Sequence, residues 1–258
     1  TGTAVASTNI SGGNFSSDIA GLSTGITYYY HAYASNAGGT AYGAELNFTT
    51  ASPNPVITVT SLTNFGNVCI NTTAGPNSFT INGTNLTATD ITVGALPGFT
   101  FSTTAGGTYT STLTLTQPGG TYSQDVFVLF SPVAVQSYNG NIAVNGAGIA
   151  AVVNVPAAGA GVNTMAIVTT GSSSAITATS ATLAGNVSDI GCSALTAYGI
   201  EYSTTAGFPN GSGTAVASTN IAGNNFSSAL SGLATGTVYY YHAYATNNGG
   251  TAYGAEQT

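Results

Sequence analysis

The stretch Gly232-Leu-Ala-Thr-Gly-Thr-Val-Tyr-Tyr-Tyr-His-Ala-Tyr-Ala245 decides the fold of this chain. A leucine, a glycine-containing turn and a tyrosine that opens a β-rich run are typical of a tyrosine corner, where a β-sandwich chain crosses between its sheets. The tyrosine hydroxyl bonds to backbone a few residues upstream while the ring lies in the core. We therefore expect Leu233 and Tyr239 to be buried at such a corner.

The same stretch occurs earlier in the chain, with Leu22 and Tyr28 as its corner residues, and we expect these two to be buried where that half-domain is complete. Residues 3–47 align without a gap on residues 214–258, and roughly three quarters of the positions are identical, which indicates an internal repeat. The two copies are about 211 residues apart, a spacing long enough for two domains. We expect the chain to be a window from a tandem array that opens in the middle of a domain.

The composition favours an ordered all-β protein. The chain has no Lys, Arg or Trp and only 7 acidic residues, but it is rich in Gly, Tyr, Val and Thr and can bury enough apolar surface to offset its ordering entropy. Short alternating runs separated by Gly, Asn and Ser turns recur, and no stretch has a helical period. The sequence predicts tandem immunoglobulin-like and fibronectin type III-like β-sandwiches.

The lack of basic residues excludes two classes of partner. Without Lys or Arg the chain cannot neutralise phosphates, so neither nucleic acid nor an anionic membrane surface is expected to bind. No apolar run reaches the length of about 18 residues that a membrane span needs. The acidic residues have little to pair with and are expected in solvent. The absence of sites for trypsin-like proteases favours an extracellular, cell-surface location.

Turn and linker signals divide the chain into three regions. Residues 1–50 are predicted to be the C-terminal half of a fibronectin type III-like domain. Ala51–Pro55 is a stiff linker, because each proline fixes φ and biases the preceding residue to extended geometry. Residues 56–161 are predicted to form an immunoglobulin-like sandwich, and residues 165–258 a complete fibronectin type III-like domain.

Two sets of motifs resemble known repeats. The third region resembles the fibronectin type III-like repeats of large Bacteroidetes surface proteins in Ala178-Thr-Ser-Ala-Thr-Leu-Ala-Gly-Asn-Val187, Tyr198-Gly-Ile-Glu-Tyr-Ser203 and Gly250-Thr-Ala-Tyr-Gly254. The middle region is similar to immunoglobulin-like repeats related to the ASPM-SPD-2-Hydin group in Phe65-Gly-Asn-Val68, Ser78-Phe-Thr-Ile81 and Tyr138-Asn-Gly-Asn-Ile142. The fibronectin type III-like repeats of this family commonly have Arg in the tyrosine strand, where this chain has His242. Such arrays occur in long secreted adhesins, including gliding-motility adhesins, so the resemblance implies a structural role.

The outer face of the tyrosine strand is a candidate contact surface. Side chains alternate along a strand, so one set should face the core: Tyr239, Tyr241 and Ala243. The opposite set, extended by a tyrosine of the next strand, is the candidate contact face: Tyr240, His242, Tyr244 and Tyr253. Such a stripe can stack sugars or pack on a neighbouring chain, although ordinary cross-strand pairing is the favoured explanation. Both histidines, His31 and His242, are expected to be solvated because no further metal ligands converge on them.

No catalytic constellation is recognisable. The carboxylates are scattered singly, so neither a paired acid–base site nor a calcium loop is expected. No Gly-x-Ser-x-Gly elbow with a partnering His and Asp is present. The sequence predicts a protein that is not an enzyme and that uses no metal or cofactor.

The two cysteines, Cys69 and Cys192, lie in different regions. Cys69 is expected near the pole where the middle domain ends, and Cys192 in a loop at the pole where the third domain begins. These poles face each other across a short connection, residues 157–163. An extracellular setting permits a disulfide there if the Cα atoms come within about 7 Å. An interchain bridge and two unrelated buried thiols are the alternatives.

Residues 1–50 lack the first strands of their domain, and an open sheet edge invites pairing. We expect a segment like Ala166–Ser203, from the preceding repeat or a neighbouring chain, to complete them. The leading hypothesis for function is a structural repeat segment of an extracellular adhesin, stalk or filament, whose partners are neighbouring repeats or copies of itself. The alternatives are a module that binds surface glycans and a non-catalytic spacer of a secreted multidomain enzyme.

Overall fold

The computed structural model describes residues 2–7, 9–219 and 221–258, and within these residues all regular structure is β. Two separate hydrophobic cores are present. One draws its buried side chains from Ile57 to Ala157, and the other from Ala166 to Ala245. The predicted all-β, tandem-sandwich fold is confirmed. Among the described residues no helix is long and apolar enough to cross a membrane.

The first region contains six short strands: β1 Asn9–Ser11, β2 Asn14–Ser16, β3 Thr27–Tyr30, β4 Tyr33–Asn36, β5 Gly39–Tyr42 and β6 Leu46–Thr49. They pair in twos, β1 with β2, β3 with β6 and β4 with β5. A lone two-stranded pair is marginally stable at best. Large apolar side chains of these strands are open to solvent: Ile10, Phe15, Tyr29, Tyr42 and Leu46.

The middle domain contains ten strands: β7 Val56–Val59, β8 Asn67–Cys69, β9 Ala74–Leu86, β10 Ile91–Val93, β11 Phe99–Ser102, β12 Leu113–Leu115, β13 Gly120–Phe130, β14 Gly140–Gly146, β15 Val153–Ala157 and β16 Ala160–Val162. Two four-stranded sheets have the orders β11-β13-β9-β7 and β12-β10-β14-β15. Val126, Val128 and Phe130 are each 0% exposed, because alternate side chains of β13 share the inner face. Separately, β16 pairs in parallel with β8.

The third domain contains eight strands: β17 Ile167–Ser174, β18 Ser180–Asp189, β19 Ala197–Ser203, β20 Thr214–Ala217, β21 Ile221–Ala222, β22 Asn225–Ser231, β23 Tyr240–Asn247 and β24 Gly250–Tyr253. Its two sheets have the orders β17-β18-β22-β21 and β20-β19-β23-β24. The tyrosine strand β23 pairs with β19 along its length, from Thr246 opposite Ala197 to Tyr240 opposite Ser203. Tyr241 packs inward, as alternation along the strand predicts.

Candidate functional site

The first candidate site is the joint between the middle and third domains. The sulfurs of Cys69 and Cys192 are bonded at 2.07 Å, and their Cα atoms lie 5.3 Å apart. The parallel pairing of β16 with β8 places Val162 opposite Cys69, and so delivers the connecting chain to the disulfide. In the described residues neither cysteine is free, so this structure has the intrachain bridge rather than two thiols or an interchain bond.

Polar contacts fix the entering chain on the side of the third domain. The carbonyl of Thr164 accepts hydrogen bonds from the Cys192 N–H at 3.1 Å and from the Asn247 side-chain amide at 2.9 Å. The same amide donates to the Ile190 carbonyl at 2.8 Å, and Asn247 is 4% exposed. Sequence reasoning missed Asn247. Its position before a Gly-Gly turn, shared with Asn36 in the first copy, was the available signal.

The second candidate site, the outer face of β23, is covered. His242 is 3% exposed, and its Nε2 lies 2.8 Å from Oε2 of Glu201. Phe208 and Tyr253 pack on the imidazole, with ring centroids 4.5 and 4.9 Å away. The prediction that His242 is solvated is therefore wrong. Alternation along β23 placed it on the outer face, but the segment between β19 and β20 folds over that face.

Glu201 is also buried, so the prediction that all acidic residues are solvated is wrong here. It is 1% exposed, and besides His242 its carboxylate accepts hydrogen bonds from the N–H groups of Gly211 and Gly213. Burial alone would raise the pKa of Glu201, but the hydrogen bonds from His242 and the two glycines outweigh it and hold the pKa below its ordinary value. The pair is thus built to keep a charged carboxylate inside the protein.

This arrangement gives structure rather than reactivity. Both carboxylate oxygens of Glu201 have donors, and the imidazole of His242 is closed to any substrate. In the described part of the chain, no group of three or more His, Cys, Asp or Glu residues could hold a metal ion.

The tyrosines of the candidate contact face are half-buried. Tyr244 lies directly opposite Tyr253 on β24, with ring centroids 6.4 Å apart, as in ordinary cross-strand pairing. Burial, followed by the negative charge of Glu201, raises the pKa of both tyrosines. With His242 covered, the four predicted residues do not form an open contact surface in this domain.

The tyrosine corners have the predicted hydrogen bond but less burial. The Ser23 N–H donates to the Tyr28 hydroxyl at 2.9 Å, and the Ala234 N–H donates to the Tyr239 hydroxyl at 3.0 Å. Leu233 and Tyr239 are half-buried, so the expectation that they are buried is wrong. Leu22 and Tyr28 are half-buried as well, in a half-domain that lacks its first strands, so the expectation for them stays a prediction. In the third domain the reason is an open cavity beside the corner.

The middle domain has a corner of its own that sequence reasoning missed. The Tyr138 hydroxyl accepts hydrogen bonds from the N–H groups of Val133 at 3.1 Å and Ala134 at 3.0 Å. Tyr138 is 7% exposed and packs on the core residue Phe130. The separation of five residues between tyrosine and N–H donor is the same in all three corners. That spacing is the signal that would have found it.

Tyr138→Phe should destabilise the middle domain more than Tyr239→Phe destabilises the third. The first change leaves two N–H groups without their acceptor in a part-buried setting, whereas the Ala234 N–H is exposed and can bond to water. We expect the thermal midpoint to fall by about 4–8 °C for Tyr138→Phe and by less than about 4 °C for Tyr239→Phe. Differential scanning calorimetry measures both. Equal shifts would contradict the assignment of Tyr138 as the stronger corner.

Comparisons with known proteins do not assign the chain to a family. Neither protein-family models nor curated proteins match the chain. Among solved structures, the FN1-FN3 domains of chicken CNTN1 are 14% identical, with 91% of this chain and 74% of that chain covered and a TM-score of 0.30. A multidomain segment of titin is 15% identical, with 89% and 73% covered and a TM-score of 0.27. At these scores the likeness carries no argument, and the fold assignment rests on the sheets described above.

Proposed function

We propose that the chain is a structural repeat segment of a long extracellular surface protein, in which alternating sandwich domains form a stalk or filament that serves adhesion. The observation that carries the proposal is the disulfide-linked joint between the middle and third domains. A disulfide, a parallel strand pair and the buried amide of Asn247 all restrain the passage from one domain to the next. The disulfide is compatible with a secreted protein, since such bonds persist in oxidising compartments.

The two connections of the repeat differ in a way that suits a stalk. A disulfide restrains the connection into the third domain, whereas Ala51–Pro55 is a linker whose prolines limit its backbone freedom. Together they would give extended reach with little collapse. Repetition adds a second benefit, because many weak contacts along one chain can act together as strong attachment.

A neighbouring repeat is the proposed partner of the first region. In the third domain, residues 166–213 cover the face of the second copy. For example, Glu201 lies against His242, and the Gly171 carbonyl accepts a hydrogen bond from the Tyr241 hydroxyl at 2.9 Å. The counterparts His31 and Tyr30 are exposed in the first copy. A segment like Ala166–Ser203, from the preceding repeat or a neighbouring chain, would bury them with the same contacts.

Surface labelling and electron microscopy test the proposal. Antibodies raised against this chain should label intact, unpermeabilised cells of the producing organism. Deletion of one repeat unit of about 211 residues should shorten the labelled fibres by a constant step and weaken attachment to surfaces. Labelling only after permeabilisation would contradict the proposal. Reproducible binding of the chain to a glycan array would favour the glycan-binding alternative instead.

A further inference from the structure

A cavity of about 270 Å³ opens beside the tyrosine corner of the third domain. Its walls are mostly apolar and include side chains from both sheets: Leu183, Leu230, Leu233, Tyr239 and Tyr241. Thr258 lies at its rim. The cavity is open to solvent and borders the buried core residues Leu183 and Tyr241.

The first copy shows what fills the matching position. There the ring of Phe48 lies 6.0 Å from that of Tyr28 and 6.0 Å from that of Tyr30. By the repeat alignment, Tyr28 and Tyr30 correspond to Tyr239 and Tyr241 of the cavity wall. These centroid distances are within the range of favourable aromatic pairs. Phe48 is therefore seated between the counterparts of the two cavity tyrosines.

The strand register leads to the same position in the third domain. In the first copy, Leu46 pairs with Tyr30 and Phe48 with Tyr28. In the third domain, Gln257 pairs with Tyr241 through two backbone hydrogen bonds of 2.8 Å each. A strand running in line with Gln257 and Thr258 would therefore bring its next residue opposite Tyr239. Within the described residues, the N–H of Tyr239 has no hydrogen-bond partner.

A second contact fixes the residue two places after the aromatic one. In the first copy the Thr50 hydroxyl donates to the Ser23 carbonyl at 2.6 Å and accepts from the Ile26 N–H at 3.0 Å. The Thr50 N–H donates to the Ile26 carbonyl at 3.1 Å. The counterparts of these backbone groups belong to Ala234 and Thr237, and in the described part of the chain they bond no residue in this way.

We infer that the cavity is a binding site for one aromatic side chain, carried on a strand in line with Gln257 and Thr258 and followed two residues later by threonine. Phenylalanine fits best, because the lining offers two ring faces and no buried charge. This inference does not depend on the proposed function.

Matched extensions of the 258-residue chain test the inference. We would append Phe-Thr-Thr after Thr258 in one variant and Ala-Thr-Thr in its control, and a third variant would carry Phe-Thr-Ala. The phenylalanine extension should raise the thermal midpoint of the third domain by about 5 °C or more, because it removes an apolar cavity and buries a ring. The alanine control should give less than about half of this shift, and Phe-Thr-Ala an intermediate one.

A direct readout comes from methyl NMR signals of the cavity leucines. With the phenylalanine extension, the methyl signals of Leu183, Leu230 and Leu233 should show ring-current shifts that the alanine control lacks. Equal midpoints for the phenylalanine and alanine variants, or unmoved leucine signals, would overturn the inference. Neither readout depends on cell-surface location, so a failure here is separate from a failure of the proposed function.

Discussion

Replacing both Cys69 and Cys192 with serine should uncouple the two complete domains. The bridge joins residues 123 positions apart, and on the loop-entropy model a closure of this length stabilises the folded chain by about 4–5 kcal/mol. Each domain keeps its own core without the bridge, so both should still fold. We expect calorimetry to show two separate transitions in the variant, at lower temperatures than the coupled transition of the oxidised protein.

The joint itself should also loosen in the double variant. The parallel pair of β16 and β8 and the Asn247 contacts remain, but hydrogen bonds restrain a hinge less than a covalent bond does. Small-angle scattering should therefore report a broader distribution of interdomain distances. Reductant should reproduce both effects in the native protein and change nothing in the variant. If the oxidised, reduced and variant proteins gave the same unfolding curve and scattering profile, the disulfide would have no mechanical role.

Glu201→Ala should destabilise the third domain by about 3 kcal/mol or more. The change leaves the buried imidazole of His242 and the N–H groups of Gly211 and Gly213 without their acceptor. Removing one partner of a buried pair typically costs about 3–5 kcal/mol. Urea unfolding followed by tyrosine fluorescence measures the loss. Asp90→Ala removes an exposed carboxylate and should change stability by less than about 0.5 kcal/mol. Similar losses for the two variants would contradict a special role for Glu201.

The Glu201–His242 pair should also make the stability of the third domain sensitive to acid. The folded-state pKa of Glu201 is lowered, so its contribution is fully present above its unfolded pKa of about 4.3 and is lost as the pH falls through the folded value. Stability should therefore decline as the pH drops below about 4.3. Glu201→Gln cannot titrate and should show a flatter decline. An unchanged pH profile in this variant would show that other carboxylates control the acid response.

Local patterns predicted the features that depend on nearby residues. The hydroxyl-to-backbone bonds of Tyr28 and Tyr239 span five residues, so the corner motif was sufficient to place them. The cysteine pairing followed from which pole of each domain the two loops occupy, a consequence of strand order. In contrast, the burial of Glu201 required the segment carrying Phe208 to fold across the sheet, and no periodicity along the chain encodes that path.

The two copies separate what the sequence determined from what tertiary structure decided. In both, the sequence alone set the corner, the β conformation and the alternation of side chains, because these depend on local sterics and hydrogen bonds. Yet the tyrosine strand is continuous as β23 in the third domain, whereas in the first region it is broken between β3 and β4. Tyr241 is 2% exposed and its counterpart Tyr30 is 44% exposed.

The tyrosine strand is buried in one copy and exposed in the other because only one copy has β19, or an equivalent partner strand, among the described residues. β19 pairs with β23 residue by residue, and β17 contributes the Thr170 hydroxyl, which accepts the Ala243 N–H at 3.0 Å. No described residue offers the counterpart of that strand or that hydroxyl to the first copy. Burial and ion pairing are properties of both sides of a contact. Nearly the same residues therefore form a covered Glu–His pair in one setting and an exposed histidine, His31, in the other.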